Sequence, residues 1–151
     1  MTTSTPSFEA LELISKRFSK SNILHALGGS GLLLALGIIK EVRDWDITTE
    51  ASLENVMEAL EGIESKLIPN NELFKSHYLI KVTHNNTEID IIGHFSIKKS
   101  DGDHHAVPVK VFGYWNNIPL ADPKEWLLAY KLMGRYEKAG KLESYLQSLP
   151  K

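Results

Sequence analysis

The spacing of apolar residues along the chain predicts alternating helices and strands. Over residues 8–18 apolar side chains recur at intervals of about three to four, which is typical of a helix with one buried face. Residues 22–27 form a short apolar run typical of a buried strand, the Gly-Gly-Ser-Gly sequence at 28–31 interrupts it, and 32–37 resume as a short helix. Residues 44–49 alternate polar and apolar side chains and predict a second strand.

The second half of the chain continues this mixture. Ser52 is an N-cap residue, and the apolar stripe behind it predicts one helix that continues through Leu67 and ends before Pro69. Strands are expected at 73–84 and 87–98, joined by an Asn-Asn turn and therefore antiparallel, and a further strand at 106–115.

Two helices are expected at the C-terminal end. Asp122-Pro123 supplies an N-cap and a first-turn proline, and Glu125 completes a capping box, so a helix should begin there and reach Gly134. A last helix with apolar residues at helical spacing follows. The predicted fold class is therefore α+β, with a mixed β-sheet flanked by helices and C-terminal helices.

Composition limits the protein class. The chain has 151 residues, of which 42% are hydrophobic and 24% charged, so we expect one globular domain over 8–151 after a disordered N-terminus at 1–7. The absence of cysteine excludes disulfides and thiolate metal sites. A net charge of -2 without a basic run disfavours general DNA binding. No secretory signal or membrane-length apolar run is visible, which predicts a cytoplasmic protein without a membrane span.

The sequence Gly28-Gly29-Ser30 is a candidate phosphate-binding turn. It lies between a predicted strand and a predicted helix, where backbone amides, the helix N-terminus and the Ser30 hydroxyl can hold a phosphate. It matches neither the Walker sequence nor the dinucleotide fingerprint, in which Leu34 would have to be glycine. Taken alone, a plain structural turn explains it equally well.

Three aspartates are candidate ligands for hard metal ions. Asp44 and Asp46 stand two residues apart, so on a strand their carboxylates point to the same face. Asp90 lies between isoleucines on a later predicted strand, where an unpartnered carboxylate would be costly to bury. Mg²⁺ prefers such oxygen ligands together with substrate phosphates. A solvated strand face is the competing explanation of the Asp44–Asp46 pair.

The order of these features resembles the nucleotidyltransferase superfamily of DNA polymerase beta. The resemblance rests on LGGS at 27–30, DWD at 44–46 and an isolated acid downstream, and it extends to PKEWLLAYKLMGR at 123–135, which is similar to a helix of small bacterial members. It implies a nucleoside triphosphate as substrate and two Mg²⁺ ions as cofactors. By that resemblance Gly29 and Ser30 hold the triphosphate, Asp44, Asp46 and Asp90 are the catalytic metal ligands, and Lys131 contacts phosphate.

The implied activity is Mg²⁺-dependent transfer of a nucleoside monophosphate, from ATP or another triphosphate, to a hydroxyl of RNA, protein or a small molecule. The chain departs from small members that carry acidic residues after the lysine, because Ala139 and Gly140 follow Lys138. An alternative therefore stays open: a catalytically silent nucleotide-binding or toxin–antitoxin-type module of the same fold, with a helical protein partner. A plain α+β domain with accidental motifs is a third interpretation.

Overall fold

Five helices appear in the part of the chain that this computed structural model describes, residues 6–69 and 77–150. They are α1 (Phe8–Lys20), α2 (Gly29–Ala35), α3 (Leu53–Ala59), α4 (Pro123–Leu132) and α5 (Tyr136–Ser148). Ser7, Ser52 and Asp122 cap α1, α3 and α4, since each side chain accepts a backbone N–H from the first turn. The predicted starts of α3 and α4 are thus confirmed.

The same residues contain nine strands in two sheets. The strands are β1 (His25–Gly28), β2 (Trp45–Thr49), β3 (Ser65–Ile68), β4 (Tyr78–His84), β5 (Thr87–Gly93), β6 (Ser96–Lys98), β7 (His104–Ala106), β8 (Val111–Trp115) and β9 (Ile118–Ala121). Seven form one sheet in the order β3-β4-β5-β2-β1-β9-β8, and β6 pairs with β7. The β2/β5 and β1/β9 pairs are parallel, whereas β1/β2 and β4/β5 are antiparallel. The predicted mixed sheet with helices is confirmed.

One face of the sheet is buried beneath α1. Leu11, Ile14 and Phe18 of that helix are fully buried, as are Ile47 on β2 and Ile80 on β4. Such burial of large apolar side chains is the main source of stability for the sheet that carries the polar residues of 44–46.

The residues just before α1 are part of the folded structure. The Ser7 amide donates to Thr87 Oγ1 at 2.9 Å, and the indole of the buried Trp45 donates to the Ser7 carbonyl at 3.0 Å. Pro6 is buried. The predicted disordered lead 1–7 is therefore wrong at Pro6 and Ser7, while its first five residues lie outside the described chain.

The helix predicted to continue through Leu67 is shorter than expected. Helix α3 ends at Ala59, and Gly62, with a positive φ of 84°, turns the chain into β3. Leu67 is 53% exposed, so the apolar stripe that suggested a longer helix does not all face the core. Pairing with β4 outweighed the helical spacing of these residues.

The predicted hairpin at 73–98 is confirmed at its turn and corrected at its far end. Asn85 and Asn86 have positive φ angles of 51° and 59°, as a tight hairpin turn requires. Residues 73–76 lie outside the described chain. The second strand stops at Gly93, because His94 has a φ of 51° and the chain leaves the large sheet to form β6.

The single strand predicted at 106–115 is two strands. Its first residue, Ala106, ends β7, and β8 begins only at Val111. A second Asn-Asn turn, Asn116-Asn117 with φ of 50° and 70°, then joins β8 to β9. Strand β9 was not predicted, although it is fully buried beside β1.

None of the described helices combines the length and apolar character needed to cross a bilayer.

Candidate active site

Two glycines at the end of β1 allow close contacts that a side chain at either position would prevent. Gly28 packs so tightly against Trp126 that a β-carbon would overlap the indole ring. Gly29 begins α2 with a φ of 58°, and a β-carbon there would overlap the Asp46 carboxylate. Since β1 pairs with β2 so that Gly28 lies opposite Asp46, the bare backbone of the turn is held directly beside that carboxylate.

The structure brings the three predicted aspartates to this turn. Asp46 on β2 lies opposite Asp90 on β5 in the parallel register, and Asp44 immediately precedes β2. All three line one cleft of about 340 Å³, together with Gly29 and Ser30. Five of the six residues expected at the site therefore converge, although β5 lies some 40 residues beyond β2 in the sequence.

The clustered carboxylates change their own acidity. Burial, followed by the charges of Asp90 and Asp44, raises the pKa of Asp46 to about 7, against partial compensation by Lys138 and Lys81. Burial also raises the pKa of Asp90, although the hydrogen bond and charge of Lys81 act in the opposite direction. Asp46 is thus a carboxylate whose charged form requires a cation nearby.

A lysine that sequence reasoning missed is bound to the third aspartate. Lys81 Nζ lies 3.1 Å from Asp90 Oδ1 and 3.6 Å from Glu88 Oε2. Burial lowers the pKa of Lys81, but the hydrogen bond and charge of Asp90 raise it overall. The two-residue turn at Asn85-Asn86 fixes the register that places Lys81 opposite Asp90. Counting residues outward from the predicted turn would therefore have identified this pair from the sequence.

The donor set suits a hard cation, but it is incomplete as it stands. Within residues 6–69 and 77–150, no three Asp, Glu or His side chains come close enough together to hold one metal ion. Asp44 and Asp46 supply two carboxylates on one edge of the cleft. Because burial and the neighbouring carboxylates raise the pKa of Asp46, a bound cation would stabilise its charged form. Mg²⁺ commonly binds through one or two carboxylates and substrate phosphates, so these residues fit that ion.

The cation beside the glycine turn is Lys138, not the expected Lys131. Lys138 Nζ donates to Ser30 Oγ at 2.8 Å and lies 5.9 Å from the centre of the Tyr130 ring. Burial and Arg135 lower the pKa of Lys138, and Asp46 and Asp44 oppose that change. The ammonium therefore lies between the hydroxyl of the turn and the acidic cluster.

Lys131 lies elsewhere. Its ammonium pairs with Glu143 at 3.2 Å, both side chains are 47% exposed, and it does not line the cleft. Gly134, with a φ of 76°, reverses the chain after α4, so that α5 brings Lys138 towards β1. The spacing of residues within the segment 123–135, which resembles the family helix, does not indicate this reversal. The predicted phosphate contact at Lys131 is therefore corrected to Lys138.

An aromatic group closes the cleft on the side of α4. Trp126 and Phe95 have ring centres 5.3 Å apart, and Trp126 and Tyr130 are 5.6 Å apart. The buried Tyr130 hydroxyl has no hydrogen-bond partner among the described residues. Burial and the charge of Asp46 raise its pKa, so the phenol stays protonated and available as a donor.

Solved structures with the same fold are nucleotidyltransferases. A Thermotoga maritima protein assigned as a nucleotidyltransferase is 23% identical and superposes with a TM-score of 0.69, covering 93% of this chain and 92% of that one. The lincosamide antibiotic adenylyltransferase LnuA, with lincomycin bound, is 20% identical at a TM-score of 0.62, covering 94% and 99%. ANT(2")-Ia in complex with adenylyl-2"-tobramycin is 10% identical at 0.63, covering 91% and 88%.

No protein-family model and no curated protein matches this chain. The likeness therefore concerns the fold: the chain has the nucleotidyltransferase fold, with acidic residues and a glycine turn gathered in one cleft. The resemblance drawn from the sequence is confirmed at that level.

Proposed function

We propose that this protein transfers a nucleoside monophosphate from a nucleoside triphosphate to a hydroxyl acceptor. The observation that carries the proposal is the convergence of Asp44, Asp46 and Asp90 with the Gly29–Ser30 turn in one cleft. Carboxylates that bind metal beside a backbone that binds phosphate are the two components that such a reaction requires. The nucleotidyltransferase fold supports the same chemistry, and a triphosphate substrate fits the cytoplasmic location that the sequence predicts.

The triphosphate binds with its outer phosphates at the glycine turn. Gly29 lets the backbone of the turn lie against the Asp46 carboxylate, so that phosphates bound at the turn would adjoin a cation held by that carboxylate. Ser30 supplies a hydroxyl, and Lys138 supplies a positive charge already in contact with that hydroxyl. The Lys138–Ser30 hydrogen bond fixes both groups before substrate arrives, which reduces the cost of ordering them on binding. This assignment replaces Lys131, which faces Glu143.

The transfer step forms one bond and breaks one bond at the α-phosphorus. The acceptor oxygen attacks in line, the bond from the α-phosphorus to the bridging oxygen breaks, and pyrophosphate leaves with that electron pair. The acceptor proton passes to the carboxylate of Asp90, which must first exchange its contact with Lys81. Asp44 and Asp46 would hold Mg²⁺, which when bound neutralises charge on the attacking and leaving oxygens.

The proposal is tested by calorimetric titration of ATP, GTP, CTP and UTP with and without Mg²⁺. Wild type is compared with Asp44→Ala/Asp46→Ala and with Asp101→Ala/Asp103→Ala, a matched pair of aspartates two residues apart in an exposed turn. We expect Mg²⁺-dependent binding of at least one triphosphate in wild type and the control pair, and none in the site pair. Equal affinity in all three proteins would overturn the assignment.

One observation favours a second candidate function, a nucleotide-binding module without turnover. The Lys81–Asp90 contact already occupies the third carboxylate, and the described residues hold no complete three-ligand set. A module of this kind, including one half of a toxin–antitoxin-type pair, would bind the triphosphate with its Mg²⁺ yet release no pyrophosphate with any hydroxyl acceptor. Acceptor-dependent pyrophosphate release from wild type, lost in Asp90→Asn, would decide for the enzyme.

A further inference from the structure

A row of three apolar side chains crosses the sheet beside the acidic residues. Ile68 on β3 lies opposite Leu79 on β4, and Leu79 lies opposite Ile92 on β5. All three side chains are partly exposed and line the same cleft as Asp90. We name them the apolar row.

The apolar row runs parallel to a charged row of the same strands. Lys81 lies opposite Asp90, two residues along β4 and β5 from Leu79 and Ile92, and Asp90 lies opposite Asp46 on the neighbouring strand β2. Since residues two apart on a strand share a face, the two rows stand side by side on one surface. A ligand atom bonded at Asp46 and Asp90 therefore has apolar side chains within reach of the rest of its molecule.

The in-line geometry of phosphoryl transfer indicates which end of the sheet surface holds the triphosphate and which end holds the acceptor. The proposed site of the outer phosphates, Gly29, Ser30 and Lys138, is at the end of β1, and the sheet continues from there through β2, β5, β4 and β3. The attacking oxygen must lie opposite the leaving pyrophosphate across the α-phosphorus. The direction away from β1, past the acids, leads over β4 and β3, so the acceptor lies on the apolar row.

The charged residues that line the cleft limit the net charge that the acceptor can carry. Its lining carboxylates, among the described residues, are Asp44, Asp46 and Asp90, and the proposed function uses all three for metal and proton transfer. Residues 6–69 and 77–150 therefore offer no further lining carboxylate to a polycationic acceptor. The lining cations Lys138 and Arg135 come from the α4–α5 side. Beside the apolar row, Lys81 on β4 is already paired with Asp90 and Glu88, which leaves Lys66, opposite it on β3. Among the described residues these are too few cations along the row to follow a polynucleotide backbone, which is held through several phosphate contacts.

We propose that the acceptor is an uncharged small molecule whose reactive hydroxyl adjoins an apolar surface, and that the apolar row of Ile68, Leu79 and Ile92 recognises that surface. This inference rests on the proposed function, because the direction of attack follows from the transfer reaction. Specificity comes from burial of apolar area against the row, whereas the hydroxyl is placed by Asp90.

The test uses two neutral probes that differ only in apolar length, methyl β-D-glucoside and hexyl β-D-glucoside, the latter below its micelle concentration. Binding to the full chain is measured by calorimetry in the presence of Mg²⁺ and α,β-methylene-ATP, whose α–β linkage cannot be cleaved. We expect the hexyl compound to bind about tenfold more tightly or better. Leu79→Ser should remove most of that difference.

Leu67→Ser is the matched control, since Leu67 neighbours Ile68 on β3 but is 53% exposed and lies outside the cleft. It should leave the preference for the hexyl compound unchanged. If Leu79→Ser does not fold, Ile68→Ser on the edge strand gives the same comparison. Equal affinity for both glucosides, or a preference lost only in Leu67→Ser, overturns the inference.

The nucleotide is titrated on the same samples, which separates the two hypotheses. If the nucleotide analogue binds with Mg²⁺ but the glucosides are not distinguished, the acceptor inference is wrong and the proposed function stands. If the nucleotide and the hexyl compound exclude each other, the row belongs to the nucleoside and the inference is wrong. If no nucleotide binds, both fall. Tighter binding of tobramycin or a short oligoribonucleotide than of the hexyl compound also overturns it.

Discussion

Lys81 holds Asp90 through an ion pair of 3.1 Å at the point where strand β5 meets the acidic cluster. The pair places a fixed positive charge where the proposed reaction requires a metal ion or a free carboxylate. It also partly offsets the effect of burial on Asp90 and, more distantly, on Asp46. In the absence of substrate, Lys81 therefore acts as an internal counter-ion of the site.

Replacement of that counter-ion should change the metal requirement. In Lys81→Met the cluster loses a cation that competes with Mg²⁺, so we expect the Mg²⁺ concentration for half-maximal nucleotide binding to fall about three- to tenfold. The measurement is a Mg²⁺ titration at fixed triphosphate. Lys66→Met, which removes the exposed lysine opposite Lys81 on β3, is the control and should leave the requirement unchanged. A higher Mg²⁺ requirement in Lys81→Met would show instead that Lys81 positions Asp90 for the metal.

Replacement of the two candidate phosphate-binding lysines should have different effects on triphosphate affinity. Lys138→Met removes the charge beside Ser30 and should weaken triphosphate binding by at least about tenfold, as expected for loss of a charge-assisted hydrogen bond. Lys131→Met removes only a half-exposed pair with Glu143 and should have little effect on affinity. Calorimetry on both variants checks this, and a larger loss in Lys131→Met would restore the assignment made from sequence.

Much of the site could be predicted because its signals are local. A glycine turn between strand and helix, and two aspartates at strand spacing, each need only a few neighbouring residues to be recognised. Lys138 could not be found in the same way. Its position depends on the reversal at Gly134 and on the packing of α5 against α4, which are relations between distant parts of the chain.

The errors in the fold have a related cause. The segment from Ser52 to Leu67 has helical spacing of its apolar residues, yet β3 forms there because it can pair with β4. Strand β9 carries a proline, which weakens a sequence-based strand prediction, but its other side chains are buried beside β1 and β8. Tertiary pairing decided both segments, and a local pattern does not contain that information.

Gly29 should be intolerant of any side chain. Gly29→Ala places a β-carbon at a φ of 58° and against the Asp46 carboxylate, so it should lower the free energy of unfolding by about 1–3 kcal/mol and abolish triphosphate binding. Gly37→Ala is the matched control, because Gly37 has a φ of 80° but open space around its α-carbon. Urea unfolding and nucleotide titration of both variants test the prediction. Similar losses of binding in the two would assign the effect to backbone strain alone.

The acidity of Asp46 predicts how stability without metal depends on pH. Its pKa of about 7 in the folded chain lies above the ordinary value of 3.8, so folding favours the protonated acid. The associated stability is fully present below pH 3.8 and is lost as the pH rises to about 7, on the order of 2–4 kcal/mol in total. Asp46→Asn keeps a neutral side chain throughout. Relative to wild type in EDTA, it should therefore be increasingly stable between pH 5 and 8, as measured by urea unfolding at each pH.

Mg²⁺ should recover stability at pH 8 in wild type only, since the amide cannot replace the carboxylate as a charged ligand. A wild-type-minus-variant difference that stays constant across this pH range would show that Asp46 ionises like an exposed aspartate and that the acidic cluster does not act on it.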